Sequence, residues 1–147
     1  MAVMLKALSL ASFVLMIIAI LGLVASDSLF SPSPAVIGVQ CAAVALMIWA
    51  RVAFGRRSFH AAANPTEGGL VTTGPYRFIR HPIYTAACLF CWAGILAHYS
   101  PKALGLGLLL FLGALGRMLC EEQLVREKYP AYRDYARQTR RMLPFIF

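Results

Sequence analysis

Charged residues divide this chain into apolar runs of unequal length. No charge falls between Lys6 and Asp27, which leaves 20 residues, and Asp27 to Arg51 encloses 23 more. His81 to Lys102 encloses 20, and Lys102 to Arg117 encloses 14 before the apolar pattern resumes through Met118 and Leu119. A helix crosses a hydrocarbon core with about 20 apolar residues. The pattern therefore predicts about four membrane-spanning helices. The second opens at the helix-breaking "SPSPA", Ser31 to Ala35, and the third carries Pro82 in its first turn, where proline is favoured. The fourth ends near Tyr129.

Two segments break the apolar rhythm. "GRRSFHAAANPTEGGLVTTGPYRFIR" is a loop of about 25 residues that interleaves turn signals with Leu70, Val71, Tyr76, Phe78 and Ile79. Loops beyond about 12–15 residues are commonly functional or disordered, and this apolar content predicts one packed against the bundle. The tail "KYPAYRDYARQTRRMLPFIF" sets Tyr132, Tyr135 and Ala136 at helical spacing among arginines, an amphipathic segment suited to a membrane surface. Its end, "LPFIF", is expected to fold back on the bundle or dip into the bilayer. The chain thus reads as one membrane domain of 147 residues. Residues 1–54 form a plain helical hairpin scaffold, and residues 55–147 hold most of the polar chemistry.

Composition agrees. The chain is 60% hydrophobic and 14% charged, against roughly 45–50% and 25% for soluble domains. Mean hydropathy is +0.69. The net charge of +8 would suit nucleic acid on a soluble face, but here the cations gather in loops. "SDSLFSPSPA" has no Lys or Arg, whereas the second loop carries Arg51, Arg56, Arg57, Arg77 and Arg80, and the tail carries Arg126, Lys128, Arg133, Arg137, Arg140 and Arg141. The positive-inside rule then places both termini and the long loop on the cytoplasmic side. A signal-peptide reading of the first run, with "LVAS" as cleavage site, is disfavoured because the run exceeds the roughly 7–15 residues of a signal core.

Ionisable groups at membrane depth mark functional sites by default. Arg117 and Glu121 lie four apart on one helical face and can pair. The plain alternative is a helix-end ion pair whose arginine reaches for the headgroups. Glu122 falls on another face and is expected to be a solvated neighbour. Arg80 and His81, at the start of the third helix, would suit an anion, since free N–H groups and positive charge coincide there. Tyr84 follows one turn further in. Cys88 and Cys91 form a C-x-x-C inside an apolar helix without partner ligands, so helix packing is expected rather than metal or redox work.

These residues also carry a resemblance. "LVTTGPYRFIRHPIY", then "RMLCEEQL", then "YPAYRDYARQTRRMLPFI" together resemble the isoprenylcysteine carboxyl methyltransferase family of integral-membrane enzymes. The likeness runs from about Gly68 to Ile146. R-H-P-x-Y alone is shared with phospholipid methyltransferases, and the ordered blocks make the match specific. The resemblance implies an all-α bundle and an S-adenosylmethionine site in the C-terminal half. Its cofactor contacts would fall on Gly68, Gly69, Leu70, Val71, Tyr76, His81, Pro82, Ile83 and Tyr84, with Glu121 as the acidic contact. Its substrate-carboxylate arginine would fall on Arg117, making Arg117 and Glu121 the catalytic pair. No metal is implied. A polar contact that relatives carry further upstream finds no match in "HAAAN", although His60 stands there. The eukaryotic members have more spans than the four expected in this chain.

The chemistry so implied is methyl transfer to the carboxylate of a lipophilic acceptor entering from the bilayer, most simply a prenylated cysteine. A carboxylate is already ionised, so positioning and water exclusion suffice. The alternatives are a phospholipid amine or a small thiol or amine, each of which needs a base, or a non-catalytic membrane subunit or transporter. A polar cluster at one end of the helices, rather than at the midplane, disfavours transport.

Overall fold

The computed structural model describes residues 1–55 and 69–143. Its elements are helical: α1 (Ala2–Ala25), α2 (Pro34–Phe54), a single 3-10 turn (Gly74–Arg77), α3 (Pro82–Ala97), α4 (Pro101–Lys128) and α5 (Tyr132–Gln138). Among the described residues, α1, α2 and α4 are long and apolar enough to cross a membrane, while α3 is a shorter apolar helix.

The expected third span is thus shorter than its apolar run. α3 has 16 residues, about 24 Å at about 1.5 Å per residue, less than the roughly 30 Å of a hydrocarbon core. It stops at Ala97 because a new helix begins almost at once. Ser100 caps α4 by accepting from the Ala103 N–H, and Pro101 occupies the first turn. The expected end of α4 agrees with its cap at Tyr129.

The first and fourth helices, farthest apart among the long ones, are partners in space. α1 packs along α4, and α2 packs along α3. The α1–α4 seam is close because a Cβ on Gly113 would lie 2.8 Å from Met16 Cγ and from the Ser12 carbonyl oxygen, and one on Gly116 would lie 2.7 Å from Ser12 Oγ. Small residues let helix backbones approach where lipid offers no hydrophobic drive for association. The core under this seam holds Met16, Ala19, Leu23, Leu110, Ala114 and Met118, joined by Cys88, Cys91 and Ile95 of α3. Large apolar side chains such as Leu21, Ile48 and Leu112 face outward, as a lipid-facing surface requires.

The two ends of the bundle differ. At one end, Gln40 Nε2 donates to the carbonyls of Leu29 and Phe90, which closes the α1–α2 loop over α3. At the other end meet the C-terminus of α2, the start of α3, the last turns of α4 and the tail. Gly74, with φ +59, starts the 3-10 turn there and lets the chain pass close to Ala53 of α2. Tyr76 then packs its ring 5.4 Å from that of Phe54.

Candidate functional site

Arg117, Glu121 and Tyr84 come together where α3 faces α4. Arg117 Nε lies 3.1 Å from Glu121 Oε1, one turn along the same helix. The Tyr84 hydroxyl donates to the same oxygen at 2.6 Å and accepts from Arg117 Nε. Arg117 is 5% exposed and sits about 16 Å, three turns, before the end of α4 at about 1.5 Å per residue. A headgroup-seeking arginine would expose its guanidinium, whereas this one is turned inward onto Glu121 and Tyr84. The reading of Arg117 as a snorkelling terminus is therefore set aside.

α1 supplies the other wall. The Phe13 ring centroid lies 4.8 Å from the Arg117 guanidinium carbon, a cation–π contact. It is reached because Gly113 and Gly116 admit α1 so closely. Nothing in the apolar pattern of α1 singles Phe13 out, and the scaffold reading of residues 1–54 passed over it.

Glu122 is buried and not solvated, contrary to the sequence expectation. Its Oε1 lies 3.1 Å from Arg80 Nε, 3.1 Å from His81 Nε2 and 3.2 Å from Arg141 Nε. The reason is rotational. Glu122 continues the face of Met118 and Leu115, which turns inward, while Glu121 continues the face of Arg117. That continuity was a usable signal in the sequence. The expected anion site at the start of α3 is accordingly filled by this chain's own carboxylate. Arg80 also donates from Nη1 to the carbonyls of Ala136 and Thr139, at 2.9 and 2.5 Å. The Arg80 and His81 N–H groups donate to the carbonyls of Arg140 and Arg141.

His81 therefore stands between two carboxylates, with Nε2 on Glu122 and Nδ1 3.9 Å from Glu121 Oε2. Pro82 is buried in the first turn of α3 and Ile83 is half-buried beside it. Tyr76 is buried. Burial, with Tyr135 and then Glu121 adding to it, pushes its phenol above the ordinary range. Tyr135, similarly pushed up to about 12 by burial, stays a proton donor to the Tyr76 carbonyl at 2.7 Å. Gly69, at φ +86, Leu70 and Val71 are half-buried on the approach to the 3-10 turn. Gly68, His60 and the "PFIF" end lie outside the described residues.

The arrangement fits a cationic donor. Glu121 is the open member of the cluster, its side chain 25% exposed against 6% for Arg117. Among the described residues, its Oε2 faces His81 Nδ1 at 3.9 Å, too long for a direct hydrogen bond. A carboxylate so placed can hold an ammonium or sulfonium group, with the Tyr76 and Tyr84 rings at hand for an aromatic one.

Beside this cluster runs an apolar cavity of about 440 Å³. Thr85, Leu89 and Trp92 of α3, Phe111 of α4, and Met142 and Leu143 of the tail line it.

The family model described as phospholipid methyltransferase matches residues 33–132, from the start of α2 into α5. This chain belongs to the phospholipid methyltransferase family. The family falls within the group of integral-membrane methyltransferases that resemble isoprenylcysteine carboxyl methyltransferases. The protein is therefore an integral-membrane methyltransferase, and its family implies S-adenosylmethionine as methyl donor. No curated protein and no solved structure matches the chain.

Proposed function

We propose that this methyltransferase transfers the methyl of S-adenosylmethionine to the carboxylate of a lipophilic acceptor of the prenylcysteine type. The observation that carries the reading is Arg117, a buried guanidinium well inside a spanning helix with Glu121, Tyr84 and Phe13 around it. A guanidinium matches a carboxylate, and it gains strength where water is scarce.

The donor supplies an electrophilic methyl carried on a positive sulfur. Glu121 holds the cationic donor. Tyr84 braces Glu121 through its hydroxyl and orients the guanidinium of Arg117, which holds the acceptor carboxylate toward the methyl group. Tyr76, His81, Pro82, Ile83 and the segment Gly69 to Val71 complete the donor's surroundings. A new O–CH3 bond forms as the S–CH3 bond breaks, no proton moves, and the neutral ester loses its hold on Arg117. The apolar cavity between α3 and α4 takes the acceptor's hydrocarbon chain, which arrives laterally from the bilayer.

A second reading, methyl transfer to a phospholipid amine, is favoured by the family's name. An amine must lose a proton, so it needs a base. Glu122 is committed to three partners, and Glu121 Oε1 is occupied by Tyr84 and Arg117. Among the described carboxylates at the site, Glu121 Oε2 is what remains for the task, which is why the carboxylate is placed first.

Orientation is part of the proposal. Arg51, Arg77, Arg80 and the basic tail lie at the site end, and Asp27 at the other, so the site end and both termini face the cytoplasm. The test is transfer of labelled methyl by the purified chain to a prenylcysteine and to phosphatidylethanolamine, followed by mild alkali. A carboxyl ester releases labelled methanol and an N-methyl amine does not. Label that resists alkali, on the phospholipid alone, would replace the first reading with the second.

A further inference from the structure

One buried carboxylate has no part in the transfer just described. Glu122, on α4, is 5% exposed at its side chain and gathers groups from two other places in the chain: Arg80 and His81 before α3, and Arg141 in the tail. The tail beyond α5 lies as a strap across the start of α3. Ile79 pairs with Arg140 in parallel, the Arg80 and His81 N–H groups donate to the Arg140 and Arg141 carbonyls at 2.7 and 2.9 Å, and Thr85 Oγ1 donates to the Met142 carbonyl at 3.0 Å.

We infer that Glu122 is a positioning residue for the donor site, holding His81 off Glu121 while it pins the strap through Arg141. The inference rests on the proposed role of Glu121 as donor contact. Its physical basis is the adjacency of the two glutamates. Neighbours on a helix point about 100° apart, so Glu121 meets Arg117 while Glu122 meets His81. The imidazole lies between them, with Nε2 at 3.1 Å from Glu122 and Nδ1 at 3.9 Å from Glu121. With Glu122 ionised, the ring is drawn to the inner carboxylate and Glu121 Oε2 stays open to a cation. Without that charge the ring is released and can close the remaining gap to Glu121. It then occupies the oxygen that the donor requires. A clamp of the strap alone would leave donor affinity untouched, and this is where the two roles part.

The experiment uses the full chain in lipid nanodiscs. Binding of S-adenosylhomocysteine is measured by calorimetry, alongside hydrogen exchange over residues 78–85 and 136–143. Glu122→Gln is expected to bind about tenfold more weakly, the scale of one charge-assisted hydrogen bond, and to exchange faster in both segments. Glu122→Asp, which keeps the charge, should recover most of the affinity. Arg141→Gln should speed exchange in the strap with a smaller effect on binding. Wild-type affinity in Glu122→Gln, whatever its exchange, overturns the inference. If that variant does not fold, Glu122→Asp and Arg141→Gln decide, and equal loss of affinity in both overturns it as well. Glu121→Gln separates the two layers, since unchanged binding there would refute the role of Glu121 itself.

Discussion

Phe13 of α1 covers the guanidinium of Arg117 of α4, its ring centroid 4.8 Å from the guanidinium carbon. The contact crosses the seam between the most N-terminal helix and the helix that carries the acidic pair. On the proposed role of Arg117, it makes α1 part of the acceptor side of the site. Phe13→Leu keeps the bulk and loses the π face. With cation–π contacts worth about 1 kcal/mol, we expect about a fivefold rise in acceptor KM and little change in donor affinity. Steady-state kinetics with each substrate varied in turn checks this.

The same seam predicts opposite outcomes at two glycines. Gly113→Ala places a methyl 2.8 Å from Met16 Cγ and from the Ser12 backbone oxygen, whereas Gly105 has nothing within 4 Å. Overpacking a close helix contact costs about 1–3 kcal/mol. Gly113→Ala should therefore lower the thermal midpoint in detergent and weaken transfer. Gly105→Ala should be neutral or mildly stabilising, since alanine favours helix by about 1 kcal/mol.

Glu121 and Glu122 should fail differently. Glu121→Gln removes the open carboxylate and should weaken donor binding with little loss of thermal stability. Glu122→Gln leaves Arg80, His81 and Arg141 around a neutral group, and breaking a buried charge cluster costs about 3–5 kcal/mol. A clear drop in melting temperature is expected for Glu122→Gln and not for Glu121→Gln, read by thermal denaturation of the two proteins side by side.

Orientation can be read by chemistry from either side of a membrane. Arg137, 82% exposed at its side chain, lies at the site end, and Phe30, 63% exposed, lies in the opposite loop. Cysteines introduced at these positions should react with a membrane-impermeant maleimide from opposite sides, Arg137→Cys from the cytoplasm. Labelling of both from one side would contradict the topology.

Much of this was legible in the chain because membranes impose simple rules. Charge-free runs marked the long helices, and the four-residue spacing of Arg117 and Glu121 gave their pairing, since both properties are local. What escaped was non-local or rotational. Phe13 is one aromatic among many apolar residues, and only the approach of α1 to Gly113 and Gly116 gives it a cation to cover. Glu122 continues the inward face of Met118, but its partners Arg80, His81 and Arg141 come from distant parts of the chain, so the cluster that buries it shows only in the fold. The strap across α3 depends on Ile79 meeting Arg140, about sixty residues apart in sequence, a pairing no helical period announces. α3 is shorter than its apolar run because that run continues through the turn at His98 to Ser100.

The central claim is that Arg117 holds the acceptor while Glu121 holds the donor. Its most direct test is Arg117→Ala, assayed for transfer of labelled methyl to a prenylcysteine acceptor and for binding of S-adenosylhomocysteine. The account predicts loss of alkali-labile methyl ester by about two orders of magnitude, the scale of a lost charge-assisted contact of about 3 kcal/mol, with product binding largely kept. Full transfer by Arg117→Ala would contradict it.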